Sequence, residues 1–154
     1  MGESDLGHPP GVTESSAAPG TGDRRLRLCH RAEPGELRSI RRRVETWARR
    51  WDLSADTLTD LQLALGEAVA NGVEHAYSDG RSGTVVVDLV VDDARGITVR
   101  VADHGTWRPP SEHAGHRGWG LLMIDRLARR VRVQSGSWGT EVCFEIPFVT
   151  QPVG

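Results

Sequence analysis

From Ser54 to Tyr77 the chain repeats apolar residues at helical spacing. Leu58, Leu61, Leu65, Val69, Gly72, Val73 and Ala76 fall on one side of a helix at 100° per residue. A helix of that length owes its stability to packing along its apolar stripe, so this segment needs a sheet to lie on. Two glycines interrupt it. Gly66 and Gly72 each cost a helix interior roughly 1 kcal/mol against alanine, although Gly72, on the packed side, permits close approach to that sheet. The opposite side carries Glu67, Asn71 and Glu74, within about 60° of one another.

The charge of this segment is unusual for the chain it sits in. All 19 basic residues are arginine, yet none lies between Trp51 and Gly80, where Asp52, Asp56, Asp60, Glu67, Glu74 and Asp79 leave a charge of −6. A solvated helix face ordinarily mixes signs at a spacing of four. A carboxylate and an amide one turn apart with no competing cation suit another task. The Asn71 amide oxygen can ligate Mg²⁺, a hard cation that takes a few oxygen ligands together with phosphates. Glu67 can accept a proton from a nucleophile held near those phosphates.

The rest of the pattern supplies the sheet. Leu26 and Leu28 alternate with arginines in RLRLCH, a half-buried strand. A helix opens near Glu33 and Pro34 and runs to about Trp51, with Leu37, Ile40, Val44, Trp47 and Ala48 on one face and Arg38, Arg41, Arg42, Arg43, Arg49 and Arg50 on the other. Ser54 caps the second helix. TVVVDLVVDD and ITVRVAD form a hairpin pair, GLLMIDRLARRV a third helix, and RVQSGSWGTEVCFEIPF two strands around a Gly-rich turn. The order β-α-α-β-β-α-β-β predicts an α/β two-layer sandwich, a mixed and mostly antiparallel sheet with helices on one face. Residues 1–22, rich in Gly, Pro and Ser, are expected to be a disordered tail, residues 23–149 the domain and 150–154 a C-terminal tail.

The remaining bulk properties exclude more than they assign. A net charge of −2 gives no general nucleic-acid signature. Cys29 and Cys143 are far apart and fit no metal spacing. Cys143 reads as a buried thiol and His30 as structural. Without a disulfide framework, an 18-residue apolar run or a secretory signal, the expected setting is the cytoplasm.

Two further stretches suit a nucleotide. RVADHGTW sets Asp103 at a strand end before Gly105. A plain turn accounts for that, and so does a carboxylate accepting a hydrogen bond from the exocyclic amine of adenine. HRGWGLL sets Gly118 and Gly120 at a helix start, where backbone N–H groups hold phosphate oxygens, with Arg117 placed to meet a γ-phosphate. His113 and His116 read as loop residues. Thr140 follows Gly139 in a hairpin.

In this order, Glu-x3-Asn on a helix, Asp-x-Gly at a strand end, Gly-x-Gly opening a helix and Gly-Thr in a hairpin, the chain resembles the histidine-kinase-like ATPase family, the Bergerat fold. The wording ALGEAVANGVEHAY is most similar to its anti-sigma-factor serine kinases. The resemblance implies Glu67 as general base and Asn71 as Mg²⁺ ligand. It implies an ATP pocket shaped by Asn71, His75, Asp103, Gly105, Trp107, Arg117, Gly118, Trp119, Gly120, Leu121 and Thr140. Trp107 stands where the family often has a second glycine, which stiffens the loop TWRPP or lets it stack on the base. The function implied is an ATP-dependent serine/threonine protein kinase that phosphorylates a serine of an anti-anti-sigma antagonist and sequesters a sigma factor. Dimerisation through the first strand and first helix follows by analogy. The alternative is a nucleotide-binding module without turnover. A histidine kinase would need a helical hairpin before the first strand, and a motor ATPase a transducer after Phe148; the sequence offers neither.

Overall fold

A computed structural model describes residues 24–77, 83–92, 96–104 and 117–147; for 75–77 and 117–120 it describes the backbone alone. The elements are β1 (Arg25–Arg31), α1 (Glu36–Ala48) continued by a 3-10 turn (Arg49–Trp51), α2 (Ala55–Tyr77), β2 (Thr84–Asp92), β3 (Gly96–Asp103), α3 (Arg117–Leu127), β4 (Arg129–Gly136) and β5 (Gly139–Ile146). The five strands form one sheet in the order β1-β2-β3-β5-β4, and all four pairings are antiparallel. The helices form the second layer: α1 on β1 and α2, α2 on β2, β3 and β5, and α3 on α2 and β4. The expected two-layer α/β sandwich is present.

Register sorts the inner face of the sheet into rows. Leu28, Val87, Val101 and Val142 align across four strands, as do Leu26, Leu89, Val99 and Phe144. Val91, Ile97 and Ile146 make a third apolar row, all buried. The row at the far end is mostly polar: His30, Asp103, Thr140 and Ser135, with the apolar Val85 between His30 and Asp103. Period-2 alternation drives these side chains to one face, and the α2 stripe of Leu61, Ala64, Leu65, Ala68 and Val69, each no more than 1% exposed, covers the apolar rows.

The junction between α1 and α2 has local causes. The Ser54 hydroxyl accepts from the Thr57 amide at 3.1 Å, satisfying a first-turn donor of α2. Asp52 adopts a left-handed conformation, φ 49°, and turns the chain between α1 and α2. The third helix is shorter than its sequence pattern suggests. It ends at Leu127, and the RRVRV that follows belongs to β4. Arg130 sits at φ 52° within a register shift between Arg129 and Arg132, and that bulge interrupts the alternation which would have identified the strand.

Among the described residues the outer face of the sheet carries no helix, and it is laced by charge. Arg25 grips Asp88 with two hydrogen bonds, 2.9 and 2.6 Å, and Arg100 grips Glu141 at 2.9 and 3.1 Å. Cys143 lies on this face, half-buried, and not in the core. Strand alternation sends its neighbours Val142 and Phe144 inward and the thiol outward. The thiol donates to Glu141 Oε1 at 3.2 Å; burial first, then that carboxylate, pushes its pKa up to about 11. His30 is tied to the first turn of α1 through Glu36 at 2.8 Å.

Two outcomes follow. Phe144→Ala, which empties a site 1% exposed in the middle of the apolar rows, should destabilise the domain by about 3–5 kcal/mol in chemical denaturation. Alkylation of the native chain near pH 8 should modify exposed Cys29 and spare Cys143, whose thiolate fraction is on the order of one in a thousand at that pH; a mass shift mapping to Cys143 first would contradict the geometry.

Candidate functional site

The polar row at the end of the sheet is a built cluster. Asp103 is 3% exposed and Thr140 3% exposed, side by side across β3 and β5. Asp103 is engaged within the protein, but a carboxylate offers about four acceptor positions. The Thr140 hydroxyl has no hydrogen-bond partner among the described residues. A buried hydroxyl left so costs about 1–3 kcal/mol unless something else fills the position.

Glycines determine how closely the walls approach. A Cβ on Gly72 would lie 3.4 Å from Val85 Cγ2 and 3.5 Å from Asp103 Oδ2. At this point, then, α2 runs against the carboxylate with room for one methyl and little more. Gly139, at φ 135°, is stricter. A Cβ there would run into the Asp103 carbonyl oxygen and lie 2.7 Å from His104 Cα, so the hairpin backbone rests directly on the end of β3. Gly66 answers to a different neighbour. Its missing side chain is the space taken by the Arg41 guanidinium of α1, while Gln62 Nε2 donates to the Arg41 carbonyl at 3.1 Å. The helix with no arginine of its own receives one from the preceding helix.

From Gly72 the helix leads to the other two candidates. Asn71 precedes it, and Glu67 lies one turn before Asn71, about 6 Å along the axis at 1.5 Å per residue. Both are half-buried, and neither side chain has a hydrogen bond or ion pair among the described residues. The structure therefore brings Asp103, Thr140, Gly72 and Asn71 to one end of the sheet, with Glu67 beyond. Leu121 is half-buried on α3, packed against the core. Arg117, Gly118, Trp119 and Gly120 form the first turn of α3, with only their backbone described. His75 is described only as α2 backbone, and Gly105, Trp107, His113 and His116 lie outside the described residues. Among the described residues no group of three or more His, Cys, Asp or Glu gathers at metal-binding distance. An oxygen-plus-phosphate Mg²⁺ site does not need one.

A groove of about 440 Å³ between α1 and α2, lined by Arg41, Glu45, Leu58, Thr59, Gln62 and Leu63, shares no residue with this cluster. Sequence reasoning missed two contributors. One is Arg41 over Gly66, a contact between helices that no local pattern encodes. The other is His104, whose position beside Asp103 was visible and whose bond to the hairpin was not.

An open antiparallel sheet covered on one face, with a buried acid and hydroxyl where its middle strands end beside a long helix, is the architecture of a Bergerat-type ATPase domain. A family model described as Histidine kinase-like ATPase domain matches residues 30–146, and the chain belongs to that family. Serine-protein kinase RsbW of Bacillus velezensis is 31% identical over 121 residues, covering 69% of this chain and 75% of that protein. RsbW of Bacillus subtilis is 30% identical over the same coverage. The anti-sigma F factor of Clostridium acetobutylicum is 26% identical, covering 68% of this chain and 80% of that one. A solved structure of the RsbU and RsbW domains of a Mycobacterium tuberculosis protein superposes with a TM-score of 0.64 over 84% of this chain at 24% identity; the match spans 34% of that longer chain. Among the described residues no helix is long and apolar enough to cross a membrane.

The residues present fit ATP, because the Thr140 hydroxyl and the Asp103 carboxylate meet in one buried row beside a helix whose Asn71 and Glu67 are uncommitted. Thr140→Val removes a hydroxyl that no described residue bonds. The variant should match or exceed wild type in melting temperature and bind ATP about tenfold more weakly by calorimetry. A loss of stability with unchanged affinity would place the hydroxyl's partner within the protein.

Proposed function

We propose that this chain is an ATP-dependent serine/threonine-protein kinase acting as an anti-sigma factor. It phosphorylates a serine of an anti-anti-sigma antagonist and sequesters a sigma factor. The observation that carries this is the placement of Glu67 and Asn71 one turn apart on α2, uncommitted, where the same helix meets Asp103 through Gly72. The names of the RsbW and anti-sigma F relatives support the protein class.

In this reading Asp103 accepts from the adenine amine and the Thr140 hydroxyl bonds the base. Leu121 and the glycines Gly105, Gly118 and Gly120 shape the pocket, and Trp107 and Trp119 border it. The first turn of α3 and Arg117 face the phosphates, with His75 beside them. Asn71 would hold Mg²⁺, which neutralises phosphate charge when bound. Glu67 takes the proton from the acceptor serine as its oxygen bonds to the γ-phosphorus. The bond from that phosphorus to the β–γ bridging oxygen breaks, and ADP leaves. The domain spans 23–149 between tails 1–22 and 150–154. The chain works in the cytoplasm without direct nucleic-acid or membrane contact, and as a homodimer through β1 and α1.

Glu67→Gln tests this. The full chain, ATP, Mg²⁺ and an antagonist protein from the same cell should yield phosphoserine with wild type. The variant should transfer at least about 100-fold more slowly while its ATP affinity stays within about threefold. Equal transfer by both proteins would remove Glu67 from the chemistry. ATP binding with no transfer by wild type would make the chain a nucleotide-binding module.

A further inference from the structure

The end of β3 and the β4–β5 hairpin are held together by more than the strand ladder. His104 Nδ1 lies 3.3 Å from the Trp138 carbonyl oxygen. A carbonyl only accepts, so the ring donates from Nδ1. The hairpin that offers this carbonyl has little freedom. Gly139 lies with its backbone directly on the Asp103–His104 peptide, at a φ that other residues avoid. The Trp138 indole folds back over Gly136, its Nε1 2.6 Å from where a Cβ would stand. Gly136 and Gly139 are themselves paired across the turn. The next residue after Gly139 is Thr140, and the residue before His104 is Asp103.

We infer that His104 is a positioning residue for ATP: its ring clamps the Trp138 carbonyl and thereby fixes the Thr140 hydroxyl relative to the Asp103 carboxylate. The inference rests on reading the Asp103–Thr140 row as the adenine pocket. The chemistry is that of a second point of attachment. The β3–β5 ladder sets the register of Asp103 and Thr140, but both lie at the last rung, where a ladder frays. A donor reaching from one strand end to the opposing turn closes that end. An exposed hydrogen bond is worth little to global stability. Its effect is concentrated on the groups it aligns.

The test compares His104→Ala and His104→Asn in the full chain. Asparagine carries a donor the same number of bonds from Cα as the histidine Nδ1. In the nucleotide-free protein, hydrogen exchange of the Gly139 and Thr140 amides should quicken about three- to tenfold in the alanine variant and stay within about twofold in the asparagine variant. ATP affinity by calorimetry should weaken by a similar factor in alanine and recover in asparagine, with melting temperatures alike in all three. Unchanged exchange in His104→Ala overturns the clamp. Faster exchange with unchanged ATP affinity overturns the positioning role. An asparagine variant as impaired as alanine shows that ring bulk, not the donor, is at work, and also overturns it. If wild type itself fails to bind ATP, the pocket reading falls and takes the positioning role with it; that failure appears in the wild-type arm and leaves the nucleotide-free exchange result standing.

Discussion

A carboxylate and a hydroxyl buried side by side at the end of an apolar sheet are costly to desolvate, and the architecture is arranged around keeping them there. Asp103 and Thr140 face each other because β3 and β5 pair antiparallel with that register. The register persists to its last rung because Gly139 has no side chain to hold the hairpin off the Asp103 carbonyl. Three apolar rows behind them, covered by α2, anchor the strands so that the polar row is carried by a rigid body. A hydroxyl with no partner among the described residues in such a place is costly unless a ligand completes it, which supports the proposed pocket.

Much of this was legible in one dimension. The periodicity of residues 58–73 gave α2 and its buried stripe, and alternation in β2, β3 and β5 gave the inner face. Asp103, with a glycine two residues on, and Thr140, directly after one, were legible as candidates because sharp turns constrain residue choice. Three features were not legible, for physical reasons. The end of α3 was overrun because Arg130 adopts a positive φ, and the β4 bulge breaks the period on which a strand reading depends. The apolar run around Cys143 suggests a buried thiol, whereas strand alternation turns it outward to Glu141 and leaves it half-buried. Gly66 stood out as a puzzle, but its explanation, the Arg41 guanidinium, lies 25 residues earlier on the preceding helix, and contacts between elements leave no local signature.

The two glycines of α2 also show that one composition feature can have two unrelated causes. At Gly72 the constraint is the sheet: the carboxylate of Asp103 and a Val85 methyl stand at contact distance from the missing Cβ. At Gly66 it is the far end of a flexible arginine, which can move aside. A side chain at the first is opposed by rigid neighbours and at the second mainly by a solvated cation, so the helix-propensity cost of the first is the harder one to remove by mutation.

Burial is graded along the site, and the gradient suits the kind of acceptor a protein kinase uses. At the sheet end Asp103 and Thr140 are sealed, which makes a donor–acceptor match with a base selective, because a mismatched group would be left unpaired without water. Toward the N-terminal part of α2, Asn71 and then Glu67 are half-buried and uncommitted. An enzyme that passes phosphate to water is best served by closing over its triphosphate. One that passes it to the hydroxyl of another protein must leave the reacting end accessible to a bulky partner while still holding the nucleotide firmly elsewhere. The roles proposed for Asp103 and Glu67 would meet both demands with a single helix, its Gly72 against the closed sheet end and its Glu67 on a half-buried face farther along.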